Sequence, residues 1–331
     1  MDLEEFLKEW HNDSPTVLVH TSGSTGKPKP MLVEKRRMEA SARITCQFLG
    51  LKEGDTALLC MSLDYIAGKM MVVRALTCGL KLIAVKPCGC PEWEGDVDFA
   101  AMVPMQVYNL LQSEEGRKRL MAVKHLIIGG GAIDDGLASV LVGFPNHVWS
   151  TYGMTETLSH IALRRLNGPE ASEWYTPFEG VKLSQTQEGC LVIGAPAVHD
   201  GALVTNDIVE FGSPSLRRGK GGGPFRILGR KDNVICSGGI KIQIEEVERL
   251  LRPHMPVPFM ISKRPDKKFG EQVVLLTESV DMDEVRGICQ LVLPKYWQPK
   301  CYAHIDVLPM TETGKPARKE AEKYALLYPS R

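Results

Sequence analysis

The sequence predicts an α/β protein: a large α/β domain over residues 1–231, then a small α+β domain over residues 232–331. Three observations carry that expectation. Short apolar runs alternate with helix-period segments through the first half, the pattern of a parallel sheet with helices on its faces. Several of those runs end in glycine-containing turns, where open α/β sheets bind ligands. Beyond Gly229-Arg230-Lys231-Asp232 the texture changes to a short helix stopped by Pro253 and two strand-length runs.

The elements follow in order. Residues 3–10 read as a helix, with a turn at Pro15, and 17–19 as a strand ending at His20. Residues 34–49 have helical periodicity and stop at Gly50. A strand is expected at 57–61. Residues 66–76 are apolar almost all round and read as a buried helix. Strands follow at 81–85, 126–128 and 148–151, with a helix after Val103-Pro104-Met105-Gln106. Residues 189–193 and 201–211 read as antiparallel β, and the glycine-rich stretch 217–223 as a basic, solvated hairpin tip. The small domain offers a helix at 245–251 and strands at 259–263 and 272–277.

Composition narrows the function classes. At 331 residues, 44% of them hydrophobic, the chain has material for about two packed domains. Forty basic and forty acidic residues cancel, so no field points to nucleic acid or a membrane surface. The acidic start Met1-Asp2-Leu3-Glu4-Glu5 has no apolar leader core. No apolar run approaches the ~20 residues of a membrane span. Nine irregularly spaced cysteines suggest reduced thiols and a cytoplasmic protein. Cys88-Gly89-Cys90 has no second Cys/His pair at ligand spacing, which argues against a zinc site.

The chemistry concentrates in Thr21-Ser22-Gly23-Ser24-Thr25-Gly26-Lys27-Pro28-Lys29, directly after the first strand. Glycines let successive N–H groups point at one place, hydroxyls add donors, and lysines add charge. The combination suits a polyanionic phosphate chain. It is not the G-x-x-x-x-G-K-[ST] loop: two residues separate Gly23 from Gly26, and Pro28 stands where the metal-binding hydroxyl belongs. Gly129-Gly130-Gly131-Ala132 offers a surface without side chains, suited to the flat face of a base. Tyr152-Gly153-Met154-Thr155-Glu156 supplies an aromatic, a hydroxyl and a carboxylate. A carboxylate beside a phosphate site calls for a cation between them, and Mg²⁺ fits; the bland alternative is an N-capped helix. Asp207 and Arg230 suit ribose hydroxyls. Gly314-Lys315 puts a lysine on a turn. No G-x-S-x-G elbow occurs, which argues against a serine hydrolase.

In this order the motifs resemble the adenylate-forming superfamily of acyl-CoA synthetases, peptide-synthetase adenylation domains and luciferase-like enzymes. The resemblance spans nearly the whole chain. It implies that a carboxylate attacks the α-phosphorus of ATP, pyrophosphate leaves, and a thiol captures the acyl-adenylate. It assigns the phosphates to Thr21, Ser22, Gly23, Ser24, Thr25, Gly26 and Lys29, with Thr155 contacting phosphate and Glu156 ligating Mg²⁺. Adenine would lie between Tyr152-Gly153 and Gly130-Gly131-Ala132, and ribose on Asp207 and Arg230. Lys315 would bridge substrate carboxylate and α-phosphate. Asp232 would be the hinge of a mobile C-terminal domain, and Ser237-Gly238-Gly239 would line the CoA tunnel. Members of the superfamily carry a substantial segment ahead of the phosphate loop; here twenty residues precede it. Either a shortened large domain or a second copy covering an exposed sheet is expected.

The substrate clue is Arg74, in an apolar helix where a guanidinium must be paired. Its partner is a structural Asp or Glu, or a second carboxylate on the substrate. Gly68 and Arg74 resemble, in their spacing, the corresponding helix of o-succinylbenzoate–CoA ligases, as does Val103-Pro104-Met105-Gln106, with Met105 departing. That resemblance implies a keto dicarboxylate substrate, with a product for menaquinone biosynthesis. The alternatives are another acyl- or aryl-CoA ligase, a module loading a carrier-protein thiol, and a non-catalytic nucleotide-binding relic.

Overall fold

The computed structural model describes residues 1–20, 30–133, 135–212, 223–311 and 316–328. The chain forms two compact units, one of Met1–Thr186, Val192–Thr205 and Phe211–Arg226, the other of Gln187–Leu191, Asn206–Glu210 and Ile227–Arg331.

The first unit opens with α1 (Leu3–His11), started by a reciprocal Asp2–Glu5 capping box and burying Phe6 and Trp10 one turn apart. The β-branched run of β1 (Thr16–His20) pairs antiparallel with β2 (Pro30–Glu34), Val17 opposite Val33. This two-stranded sheet stands apart from the main one. The first strand was thus expected in the parallel sheet but folds locally onto its own continuation. The 15-residue α2 (Lys35–Leu49) ends at Gly50, whose φ of 68° is the left-handed cap that only glycine adopts without strain.

The main sheet has the order β4-β3-β5-β6-β7-β8-β9. Its parallel part comprises β3 (Thr56–Leu59), β4 (Lys81–Ala84), β5 (Phe99–Met102), β6 (His125–Ile128) and β7 (His147–Gly153). Crossovers are α3 (Ile66–Cys78), α4 (Pro104–Leu110) with α5 (Glu114–Ala122), and α6 (Asp135–Leu141). Leu58, Ala100, Leu126 and Val148 form one register row across four strands, all fully buried in a single apolar cluster. The expected parallel sheet then closes with two antiparallel strands, β8 (His160–Arg165) and β9 (Thr176–Pro177). A short connection after Tyr152-Gly153 turns the chain straight back, which only antiparallel pairing allows.

Lys69 ties these parts together. Its ammonium is 3% exposed, 2.7 Å from the Leu18 carbonyl and 3.3 Å from Glu9, and lies over the Phe6 ring. One α3 side chain thereby holds α1 and β1.

A four-stranded sheet follows, ordered β10 (Lys182–Gln185), β11 (Cys190–Gly194), β12 (Ala202–Phe211) and β13 (Phe225–Arg230). Residues 213–222 lie outside the described residues, and with them most of the basic stretch. In the second unit β14 (Val234–Ser237) and β15 (Ile240–Gln243) form a hairpin. With β16 (Phe259–Asp266), β17 (Gly270–Thr277) and β18 (Cys301–His304) they make a five-stranded sheet. The core sets Ile235, Ile242, Ile261 and Leu275 of the sheet against Val247 of α7 (Ile244–Leu251) and Val285 of α8 (Met282–Val292). Arg318, opening α9 (Arg318–Leu327), donates to both Glu248 oxygens at 2.5 and 2.7 Å, and Glu248 also accepts from the Ile261 N–H.

The stacked rings of His125 and His147, register partners on β6 and β7, are 4.8 Å apart. Burial, and then the His147 charge, pulls His125 down to about 4. Folded His125 therefore stays neutral where the unfolded chain takes up a proton. Its contribution to stability is present above the unfolded value near 6.5 and is lost as pH falls from there through about 4. The melting temperature should drop over that window. The His125→Gln variant should drop less; an equal drop in both would show that His125 does not contribute.

Candidate active site

The sequence-predicted residues fall into two described groups, one in each unit, and two segments outside the description. Thr21, Ser22, Gly23, Ser24, Thr25, Gly26 and Lys29, and likewise Lys315, lie outside the described residues. What is described at 315 is its frame: Met310 bridges Pro316, and the Ala317 N–H donates to the Pro309 carbonyl at 2.9 Å.

In the first unit, the Gly129–Ala132 turn follows β6, and the Tyr152–Glu156 motif starts with the last two residues of the adjacent parallel strand β7. Gly130 has φ of 76° and is exposed with Gly131 and Ala132. Tyr152 is buried, edge-on to Phe225 at 5.1 Å and tilted against Tyr175. Thr155 and Glu156 stand on a single 3₁₀ turn, Thr155–Thr157, with Thr155 buried and Glu156 half-buried. The expected alternative of an N-capped α-helix is not what forms. The chain instead makes a tight γ-turn at Leu158, φ 64°, in which the Ser159 N–H reaches the Thr157 carbonyl at 2.7 Å. A branched residue there is strained by about 1–3 kcal/mol. Gly153 permits the reversal: a Cβ on it would lie 2.3 Å from the Ser159 carbonyl oxygen and 2.4 Å from the His160 Cα.

That turn carries Ser159 to Arg74. The guanidinium is 2% exposed; its Nη2 donates to Ser159 Oγ at 2.5 Å, and its Nη1 lies 3.8 Å from the Met71 sulfur. The ring of Phe99 lies 5.9 Å away, and the buried Nε has no hydrogen-bond partner. Among the described residues no Asp or Glu pairs with it. Burial pulls its pKa down to about 10, with the Cys46 and Cys78 thiols opposing, so it remains charged at neutral pH. Of the two expected partners, the structural carboxylate is therefore not found among the described residues.

Gly68 is not gathered with Arg74. Six residues turn an α-helix by roughly 240°. A Cβ at Gly68 would lie 2.3 Å from the Ser62 carbonyl oxygen, so this glycine packs α3 against the chain entering it.

In the second unit, Arg230 bridges two carboxylates: Nη1 donates to Asp207 at 2.9 Å and Nη2 to Asp232 at 3.2 Å. Asn206 also donates to Asp232, at 3.0 Å, and Gln243 to the Arg230 carbonyl, at 3.0 Å. Ribose-site and hinge candidates thus form one network. Gly238 and Gly239, φ 59° and 84°, are the two central residues of the β14–β15 hairpin turn after Ser237, a geometry that demands glycine on its own account. No group of three or more His, Cys, Asp or Glu among the described residues could hold a metal. No helix among them is long and apolar enough to cross a membrane.

Sequence reasoning missed Ser159, His160 and Thr45. The signal was three polar residues, Thr157, Ser159 and His160, among the four after the Thr-Glu motif, with Ser41 and Thr45 one turn apart on α2.

The AMP-binding enzyme family matches residues 3–197, and this chain belongs to it, as an adenylate-forming enzyme. Within that class the chain is 25% identical to the 2-succinylbenzoate–CoA ligase of Bacillus cereus strain Q1, over 96% of this chain and 72% of that protein. A solved protein of Dyadobacter fermentans, described as acyl-CoA synthetase (AMP-forming)/AMP-acid ligase II-like, is 32% identical, with a TM-score of 0.64, covering 97% of this chain and 93% of that one. The Bacillus subtilis o-succinylbenzoate coenzyme A synthetase, solved with ATP and magnesium ion, has a TM-score of 0.73 at 22% identity, over 92% of this chain and 69% of that one.

Gly153→Ala should cost more than 2 kcal/mol, since backbone rather than a mobile side chain must yield. Thermal denaturation checks this. A variant melting within 1 °C of wild type would show that the Tyr152–Ser159 reversal is not tightly packed.

Proposed function

We propose that this chain is an ATP-dependent acid–thiol ligase that activates o-succinylbenzoate as its acyl-adenylate and transfers it to CoA, in menaquinone biosynthesis. One observation carries the choice of acid: a buried, charged Arg74 without a carboxylate among the described residues. A charge so placed is costly unless something pairs with it. A substrate with a second carboxylate supplies that partner.

The remaining roles rest on the motifs. The loop from Thr21 to Lys29 holds the leaving phosphates, and Lys315 stabilises the charge developing between carboxylate and α-phosphate. Glu156, a half-buried carboxylate, suits Mg²⁺, which takes one or two protein carboxylates and completes its shell with phosphate oxygens. When bound, the ion neutralises phosphate charge. Gly130 to Ala132 offer an open, side-chain-poor surface to adenine, with Tyr152-Gly153 across from it. Asp207, 9% exposed, keeps ribose hydroxyls in place alongside Arg230. Asp232 serves as hinge, and Ser237, Gly238 and Gly239 flank the path of CoA.

The test is to incubate the protein with ATP, Mg²⁺, CoA and a panel of acids, measuring pyrophosphate and thioester together. The panel contains o-succinylbenzoate, the two monoacids obtained by deleting either carboxylate, and a fatty acid. Both products should form with o-succinylbenzoate, at a kcat/KM at least about 30-fold above either monoacid, as expected for losing a ~2 kcal/mol charge contact. Pyrophosphate without thioester would reject CoA as acceptor. A preference for the fatty acid would reject the diacid.

A further inference from the structure

We propose that Ser159, His160 and Thr45 form a one-way hydrogen-bond chain that fixes the orientation of Arg74, and so sets selectivity for a substrate with a second carboxylate. The proposal rests on the assignment of Arg74 to that carboxylate.

Arginine has no acceptor atom, so Arg74 Nη2 must donate to Ser159 Oγ across their 2.5 Å contact. The Ser159 hydroxyl is then left to donate to His160 Nδ1 at 3.2 Å. With Nδ1 accepting, the ring proton belongs on Nε2, which meets Thr45 Oγ1 at 3.1 Å. Thr45 in turn donates to the Ser41 carbonyl at 3.1 Å. Every hydrogen has one place to go, and the chain ends on the backbone of α2. A protonated ring would reverse the middle step, giving the Ser159 oxygen a second donor and leaving its own proton without an acceptor. Burial, and then the positive charge of Arg74, keep His160 well below its ordinary value, hence neutral. Phe178 packs edge-on against the imidazole at 5.4 Å and limits its rotation.

The chain occupies one edge of the guanidinium. The buried Nε has no hydrogen-bond partner among the described residues. The strained Leu158 turn delivers Ser159 to its contact, and strained backbone of this kind clusters where a side chain must be held for function. His160 and Thr45 are therefore positioning residues, which act through Ser159 on Arg74.

Two substitutions of one histidine separate positioning from packing. In His160→Asn the amide oxygen stands near the Nδ1 position and can still accept from Ser159. In His160→Gln the amide reaches the Nε2 position, keeps Thr45 and abandons Ser159. The quantity measured is the ratio of kcat/KM for o-succinylbenzoate to that for the better monoacid, with melting temperature alongside. His160→Gln should lower the ratio by about tenfold or more, the effect of losing one hydrogen bond within a charged network. His160→Asn should stay within about threefold of wild type. Thr45→Val, close in volume, should lower the ratio by a few fold and supplies the test if a His160 variant does not fold. Equal ratios in the two His160 variants, or ratios that simply follow melting temperature, would overturn the chain while leaving Arg74 in place. An Arg74→Leu control with an unchanged ratio would overturn the assignment of Arg74 and the chain with it.

Discussion

The structure here depends on keeping one guanidinium charged among apolar side chains of two helices and the parallel sheet. Arg74 lies between α3, the Cys46 side of α2, Phe99 of β5 and the first residues after the Thr-Glu motif. Moving a cation out of water costs several kcal/mol even after relaxation. Among the described residues the return is one hydroxyl contact, a sulfur and a ring face. A protein that needed only to fill this space would hold a leucine there. Such a charge, with no carboxylate beside it among the described residues, fits the proposal that its partner arrives with the ligand.

Arg74 reaches from α3 to Ser159, in the residues that follow β7. β6 and β7 end side by side and open into turns that need glycine for packing. A Cβ at Gly129 would strike Thr151, and one at Gly153 would strike the returning backbone. The reversal at Gly153 then sets Glu156 and Ser159 three residues apart, so the Thr-Glu carboxylate and a hydroxyl holding Arg74 share a single strained turn. In the second unit Arg230 plays an analogous joining part, holding Asp207 and Asp232 together.

Much of this was legible in the sequence where local signals and packing agree. Helix α2 stops at Gly50 and β6 runs into its glycine turn because periodic run and glycine cap point the same way. Arg74 stood out because charge and burial conflict. Other features depend on partners remote in sequence. Nothing in Val17-Leu18-Val19 says that it pairs with Met31-Leu32-Val33 rather than joining the main sheet. Gly68 and Gly238-Gly239 drew functional readings from motif position, whereas close packing on Ser62 and a hairpin turn already require them. The His160–Thr45 contact joins residues 115 apart, which no periodicity discloses.

The most direct test of the central claim is a double cycle that removes Arg74 by Arg74→Leu and removes each substrate carboxylate in turn. If the guanidinium pairs with a ligand carboxylate, the two losses are not additive. For one of the monoacids the coupling in kcat/KM should reach about 2 kcal/mol or more, with the melting temperature close to that of wild type. Additive losses for both monoacids, with a lowered melting temperature, would contradict the account and make Arg74 a structural residue.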